Sequence, residues 1–481
     1  MRHALMSGPA VPRLTALVLI SWLYPALFLA GCTTATNTEV TLSAQQQQLN
    51  LDSFDYVWTT IRDKHWDPEL GGLDWPAVRD ELRPQVAEAS SMSAARQAMN
   101  DMIARLEQSH FGIIPAEVYT GIEGLDDEAA ESVDNTEPNQ ESAAQTTLDE
   151  VDQSEPARPR RNARDGVIGI DVRVIDGQAL VTRVRPGLPA DELQISTGWQ
   201  IVSINGREMA PLLEGIDAEY RDSTLRDLIL AQVVAGRVRG PIGSTVNVEF
   251  LDGDDQPVAL EITRVRHPGQ RAQLGHLPAL YVTFESRLLA DNIGYIALST
   301  FFDPVHVMEQ FGQAIRSFRD TNGIVLDLRG NPGGIGGMSM GMSGWFVSEP
   351  GQQLGYMRTR DTRLNFIVFS RAWTYDGPLA ILVDGASAST AEILAGGLQG
   401  LERARIFGTT SAGAALPSVI EKLPNGDGFQ YAIADYVSAG GQRLEGRGVI
   451  PDTVVRPTRA SLLANRDVVL EAAVEWIHAQ P

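Results

Sequence analysis

Hydrophobic residues near the start of the chain recur with a helical period. Phe54, Trp58 and Ile61 fall on one helical face, and a second set of apolar positions shares a face between residues 99 and 106. The spacing predicts a small helical domain over residues 49–119, which contains the segment LEQSHFGIIP after its last helix.

The pattern changes at Gly166, where apolar and polar residues begin to alternate with a period of two. The segment GVIGIDVRVIDGQALVTRV predicts short paired strands, and this character continues to about residue 265. Beyond it, short apolar runs alternate with amphipathic helical segments, which is typical of an α/β fold. The runs predicted as buried strands are Ile293–Leu298, Gly323–Leu328 and Leu379–Val383.

Small residues connect the third of these strands to a helix that opens near Ala391. Ser389 stands just before that helix, where free backbone N–H groups and the positive end of the helix dipole favour developing negative charge. This is a suitable place for a nucleophile. The local pattern also fits a simple helix cap, because Ser387, Ser389 and Thr390 are all good N-cap residues.

The N-terminus predicts export. Arg2 and Arg13 precede an apolar run that ends in Leu-Ala-Gly-Cys at residues 29–32. This resembles a bacterial lipoprotein signal over residues 1–31 with Cys32 as the lipidated residue, rather than an uncleaved membrane anchor. Residues 32–48 are predicted to be a polar tether, and Thr33 favours the outer membrane of a Gram-negative cell, facing the periplasm. Cys32 is the only cysteine, so a mature domain has no disulfide available.

Charge is concentrated in one segment. Residues 123–155 contain twelve Asp and Glu and no Lys or Arg, which predicts a solvated, disordered linker over residues 120–165. These charges make up more than half of the formal net charge of −22. The balance argues against nucleic-acid binding, but it implies nothing about the substrate.

Three motifs together resemble the C-terminal processing, or tail-specific, serine protease family. They are GIVLDLRGNPGG (323–334), VDGASASTAEILAGGLQ (383–399) and LEGRGVIPD (444–452). The resemblance implies a crotonase-like α/β protease core over residues 277–481 and an inserted PDZ domain over residues 166–265. It would place a carboxylate-binding loop at Ile168, Gly169 and Ile170, where a substrate C-terminus adds to the sheet edge.

Many members of that family use a lysine as the general base, twenty-five positions after the serine. That position is Ala414 here, and the acidic position eleven after the serine is Gly400. The chain has only two lysines, Lys64 in the helical domain and Lys422 in a strand predicted to face solvent. A Ser–Lys dyad is therefore not expected.

A serine still needs a base, and histidine has a suitable pKa. Among the seven histidines, His110 in Gln-Ser-His-Phe resembles the base of the tricorn-type branch of the superfamily, with Ser109 in a supporting place. The resemblance assigns the orienting acid to Glu445, and the predicted triad is Ser389, His110 and Glu445. The alternatives are a structural histidine, and a Glu445 that pairs with Arg443 or Arg447 at the surface.

The oxyanion of the reaction requires two backbone donors. The N–H of Thr390 is predicted to be one, and the NPGG turn is predicted to supply the other through Gly333, with Gly334 next. That turn lacks the lysine and hydroxyl residue of a phosphate-binding loop.

These observations predict a periplasmic, lipid-anchored serine endopeptidase that cleaves exported proteins after binding their C-termini, and that uses neither a metal nor an organic cofactor. The alternatives are a catalytically inactive peptide- or protein-binding lipoprotein of the same fold, and a hydrolase of small peptides or non-peptide esters.

Overall fold

The computed structural model describes residues 42–116, 165–273 and 280–480. The predicted signal peptide, Cys32 and nearly all of the acidic segment lie outside these residues. Within the described ranges, no helix is long and apolar enough to cross a lipid bilayer.

The first part of the chain forms three helices around one apolar core. They are α1 (Ala44–Lys64), α2 (Trp75–Ala87) and α3 (Met92–Ala104), followed by the short strand β1 (Gly112–Ile114). Ser43 caps α1 by accepting a hydrogen bond from the N–H of Gln46. The prediction of a tether over residues 32–48 is therefore wrong at its end, because the glutamine run forms the first turns of α1.

A second unit is built on an antiparallel sheet. Its elements are β2 (Gly166–Val167), β3 (Ile170–Ile175), β4 (Gln178–Val184), α4 (Pro189–Glu192), β5 (Gln200–Ile204), β6 (Arg207–Glu208), α5 (Ala210–Tyr220), α6 (Arg226–Val238), β7 (Thr245–Leu251), β8 (Pro257–Thr263) and β9 (Val265–Arg266). The strand order is β3-β4-β5-β7-β8, so β3 is an edge strand, and α6 packs beside it. An edge strand keeps one row of backbone hydrogen-bonding groups free of sheet partners.

The remaining chain forms a mixed α/β unit. Its strands are β10 (Gln270–Ala272), β11 (Leu280–Val282), β12 (Phe284–Leu289), β13 (Ile293–Leu298), β14 (Gly323–Asp327), β15 (Gln353–Arg358), β16 (Arg363–Ile367), β17 (Leu379–Val383), β18 (Arg405–Gly408), β19 (Ser418–Lys422), β20 (Gly428–Ala432), β21 (Asp435–Ser438) and β22 (Thr453–Val454). Its helices are α7 (Pro304–Ser317), α8 (Gly336–Ser343), α9 (Thr390–Gly400), α10 (Arg459–Leu463) and α11 (Val468–His478).

The main sheet of this unit has the order β12-β13-β14-β17-β18-β22, and all of its pairs except β12 with β13 are parallel. Every residue of β14 and β17 is buried, as expected of parallel strands covered on both faces. The three predicted strands are confirmed, and β19 and β20 pair as an antiparallel hairpin. Because β14 and β17 are parallel neighbours, the turns that follow their carboxyl ends meet at one edge of the sheet.

The helical domain is held against the third unit by the β19–β20 hairpin. β1 pairs antiparallel with β20, and Phe429 and Tyr431 enter the apolar core of the three helices. Asp427, which is completely buried, accepts hydrogen bonds from Arg96 Nη2 at 2.8 Å and from the N–H of Ala116 at 2.7 Å. This docking brings the segment between α3 and β1, which includes His110, to the α/β unit.

Candidate active site

The predicted nucleophile lies in a strained turn between β17 and α9. Ser389 has φ 55° and ψ −117°, a conformation that is unfavourable for a residue with a Cβ atom. Its side chain is buried, and its hydroxyl has no hydrogen-bond partner among the described residues. Ser389 Oγ therefore makes no capping hydrogen bond.

A buried carboxylate holds this turn in place. Glu392 Oε2 accepts the N–H groups of Ser389 at 2.9 Å and Ala414 at 3.0 Å, while Oε1 accepts Ser411 Oγ at 2.6 Å and the N–H of Gly413 at 2.8 Å. Burial raises the pKa of Glu392 to about 7, although these hydrogen bonds oppose the shift. The sequence analysis missed Glu392, which its place three residues after Ser389 could have indicated through the pattern of a capping box.

The structure places His110 in a left-handed backbone conformation, with φ 61°. The ring is almost fully buried, and burial lowers its pKa to about 3, so the imidazole is neutral. Nδ1 lies 2.6 Å from Ser109 Oγ, whereas Nε2 has no hydrogen-bond partner in the described part of the chain. Nδ1 of the imidazole is therefore hydrogen-bonded, and Nε2 is free.

Glu445 reaches His110 through Ser109. Ser109 Oγ donates to Glu445 Oε2 at 2.9 Å, and the N–H of Ser109 donates to Oε1 at 2.8 Å. The predicted triad has Glu445 orienting the imidazole directly and Ser109 in a supporting place, whereas in the structure the Ser109 hydroxyl lies between them. Burial raises the pKa of Glu445 to about 7. The alternative surface ion pair is not formed with Arg443, whose Nε contacts Asp435 at 3.0 Å.

This arrangement specifies which nitrogen of His110 is protonated. An ionised carboxylate only accepts hydrogen bonds, so Ser109 must donate its proton to Glu445. The Ser109 oxygen then accepts from Nδ1–H, and the lone pair of the neutral imidazole stands on Nε2. Two buried polar atoms without partners, His110 Nε2 and Ser389 Oγ, are the pair of groups that a proton transfer would need.

The glycine turn after β14 lies against Ser389. Gly333 has φ 98°, and a Cβ atom there would lie 2.6 Å from the Cβ of Ser389, so no other residue fits. The N–H of Gly333, however, donates to Asn331 Oδ1 at 2.8 Å. The N–H of Thr390, at the first position of α9, has no acceptor within its helix. Of the two predicted oxyanion donors, Thr390 is available and Gly333 is engaged in this conformation.

At position 414, where the family resemblance expects a lysine, the side chain is a packed alanine. Ala414 belongs to an alanine-rich cluster that includes Leu228 and Ala231 of α6, so the second unit covers this side of the turn. Lys64 Nζ instead binds Glu421 at 3.1 Å and Tyr431 Oη at 2.9 Å, and Lys422 is exposed on β19. Among the described residues, no contact joins either lysine to Ser389.

The same unit contacts the start of the nucleophile turn. Arg173 of β3 binds Asp384 at 2.7 Å, and Asp384 also accepts the N–H of Gly330 at 2.8 Å. The predicted carboxylate-binding residues lie just before and at the start of β3: Ile168 is buried, and Gly169 has φ 94°. No group of three or more His, Cys, Asp or Glu side chains suited to a metal occurs in the described ranges.

Parts of the chain match known protein families. Residues 292–455 match peptidase family S41, and residues 50–104 match the C1 domain of tricorn protease. The chain is 27% identical to the carboxyl-terminal-processing protease of Synechocystis sp., over 66% of this chain and 78% of that protein. It is 27% identical to the carboxy-terminal processing protease CtpB of Bacillus subtilis, over 60% of this chain and 55% of that protein, so it spans about half of that relative.

Solved structures share the fold. A photosystem II D1 C-terminal processing protease superimposes with a TM-score of 0.52 at 19% identity, covering 88% of this chain and 97% of that one. Mature CPAF superimposes with a TM-score of 0.55 at 13% identity, covering 90% and 96%. The fold and these matches define the class of the protein, which is a serine-type peptidase. The relatives that it resembles are C-terminal processing proteases.

Proposed function

We propose that the chain is a C-terminal processing endopeptidase that forms an acyl-enzyme on Ser389, with His110 as general base. The observation that carries the proposal is the connected series Glu445–Ser109–His110, which leaves Nε2 free, together with a strained Ser389 whose hydroxyl is also free. Unpaired buried polar atoms cost stability, and a pair of them in complementary roles points to chemistry.

In the first half-reaction, Ser389 Oγ attacks the scissile carbonyl carbon while its proton moves to His110 Nε2. The imidazolium that forms donates a hydrogen bond to Ser109 Oγ, and Ser109 donates to ionised Glu445. The carboxylate thus stabilises the positive charge through the hydroxyl. The tetrahedral intermediate collapses as the C–N bond breaks and the proton on Nε2 passes to the leaving amine. An acyl-enzyme and a free amine result.

In the second half-reaction, water takes the place of the amine. His110 Nε2 accepts a proton from the water as its oxygen adds to the ester carbon, and then returns the proton to Ser389 Oγ as the C–O bond breaks. The oxyanion in both steps is stabilised by the N–H of Thr390 and by the 333–334 turn. The N–H of Gly333 becomes the second oxyanion donor once bound substrate displaces it from Asn331. Otherwise the N–H of Gly334 is the second donor.

The second unit is proposed to act as a PDZ domain that binds the C-terminus of a substrate. The edge strand β3 offers backbone groups for strand addition, and the Ile168–Ile170 loop precedes it. Export through the predicted lipoprotein signal would place the enzyme in the periplasm, with Cys32 as its anchor and exported proteins as its substrates.

A fluorophosphonate probe, which labels reactive serines, tests the chemistry. We expect labelling at Ser389 that is lost in Ser389→Ala, falls by about 10³ or more in His110→Ala and survives in Lys422→Ala. Peptide turnover should fall in parallel. If the folded wild-type chain fails to label even with an added C-terminal peptide to open the site, the inactive binding protein becomes the better conclusion.

A further inference from the structure

One surface of the α/β unit, which contains none of the candidate active-site residues, combines exposed apolar and cationic side chains. Ile367, Phe369 and Trp373 lie in the stretch at and beyond the end of β16, with exposed fractions of 48%, 53% and 36%, and Val368 between the first two is buried. Arg371 is exposed within the same stretch. Large apolar residues grouped in this way on a soluble face usually mark a binding surface.

Three arginines stack on two tryptophans at one end of this stretch. Arg316 and Arg371 lie over the ring of Trp345, with Cζ 5.2 Å and 4.8 Å from its centroid, and Arg319 lies 5.7 Å from the centroid of Trp373. The two tryptophan rings are 6.4 Å apart, so the three arginines lie close to Trp373, the last apolar residue of this stretch. We call these six exposed residues the arginine–aromatic patch: Arg316, Arg319, Ile367, Phe369, Arg371 and Trp373.

The patch carries positive charge that the protein does not neutralise. Arg316 and Arg371 form no ion pair with any described residue, and Arg319 has only a loose pair with the exposed Asp320 at 3.6 Å. Guanidinium groups stacked on tryptophan are held there by cation–π attraction. Three arginines on one surface, two of them without an ion pair among the described residues, favour an anionic partner.

The chemistry of the patch favours a lipid surface over a second copy of the chain. Two copies meeting face to face would bring six arginines together, which is unfavourable. Aromatic and aliphatic side chains beside arginines instead match the boundary between lipid headgroups and acyl chains in a membrane. The tether predicted at Cys32 would keep the chain beside such a surface.

We propose that the arginine–aromatic patch docks the α/β unit onto an anionic phospholipid surface, with Ile367, Phe369 and Trp373 entering the interface and the three arginines contacting lipid phosphates. This docking would set the orientation of the protein on the membrane. It does not depend on the proposed peptidase mechanism.

Depth-dependent fluorescence quenching tests this orientation. The full chain carries Cys32→Ser, so that one bimane label is attached either at Ser370→Cys inside the patch or at Ser286→Cys, an exposed serine of β12. Both chains share the same N-terminus, so any binding through that region affects both labels equally. The vesicles contain doxyl-phosphatidylcholine in either phosphatidylcholine or an equal mixture with phosphatidylglycerol.

We expect quenching at position 370 in the phosphatidylglycerol vesicles and none at 286. Arg316→Gln and Arg371→Gln should each raise the lipid concentration for half-maximal quenching about fivefold, and salt should act in the same direction. Phe369→Ser should reduce the depth of quenching without altering the thermal transition. Arg363→Gln, a neighbouring exposed arginine that stacks on Tyr356, is the matched control and should change little.

Equal quenching at both positions, or none at 370, would overturn the proposal. A chain that is dimeric in sedimentation without lipid, and that becomes monomeric with Phe369→Ser, would assign the patch to a second copy and would also overturn it.

Discussion

Removing the hydroxyl of Ser109 should disable the proposed base while leaving the nucleophile intact. In Ser109→Ala, the Nδ1–H of His110 loses its acceptor at 2.6 Å, and Glu445 loses one of its three donors. The tautomer of the imidazole is then no longer determined. The imidazolium formed during catalysis also loses the hydroxyl through which the carboxylate stabilises it.

The expected loss follows from these contacts. A hydrogen bond to a charged group contributes about 1.5–3 kcal/mol, and the imidazole becomes charged only along the reaction path. Because about 1.4 kcal/mol corresponds to a factor of ten, kcat should fall by roughly 10- to 150-fold while KM changes little. Ser109→Thr, which keeps the hydroxyl, is the matched control and should retain most of the activity.

The assay is steady-state hydrolysis of a fluorogenic peptide combined with the rate of fluorophosphonate labelling. The parallel slowing of both reactions in Ser109→Ala would locate the defect before the acyl-enzyme. An activity within twofold of wild type, in a protein with an unchanged thermal transition, would refute the assigned relay and would require Glu445 to act in another way.

Four further outcomes are expected. The pKa of Glu445 is raised to about 7 and that of His110 is lowered to about 3, so kcat/KM should rise as pH increases through about 7 while Glu445 ionises; a flat profile between pH 5 and 8 would count against this role. Glu392→Gln keeps the volume but offers four donors only one carbonyl acceptor, so labelling of the serine should fall at least tenfold with KM nearly constant. Gly333→Ala should abolish activity and lower stability by about 1–3 kcal/mol in chemical denaturation, because the added Cβ meets Ser389. Asp427→Ala should cost about 3 kcal/mol and loosen the helical domain, which hydrogen exchange across α1–α3 would report; unchanged exchange would show that the apolar contacts suffice.

The sequence carried enough information for the main elements of the α/β unit. The runs of β13, β14 and β17 are short, apolar and bounded by turn residues, and local pattern alone specifies such strands. The start of α7 is likewise set locally, because the capping side chain of Asp303 and the proline at residue 304 act within one turn. The glutamine run was misjudged because a polar segment becomes helical when the rest of its helix is held by a buried face.

The site required contacts that no local pattern encodes. The residue types at positions 110, 389 and 445 and their resemblance to a known family predicted the participants, but the insertion of Ser109 between the acid and the imidazole depends on how two segments 336 positions apart pack. The role of Glu392 depends on the 411–414 segment folding back over α9.

Sequence by itself therefore determined most of the secondary structure, the chemical groups and the alanine at the position where the family resemblance expects a lysine, because those depend on residue identity and short-range geometry. The tertiary structure decided which groups meet, which hydrogen bonds they form and which are left free. Those outcomes depend on burial and on long-range docking, such as that of the helical domain through Asp427 and β1, which fix distances only after the whole chain has packed.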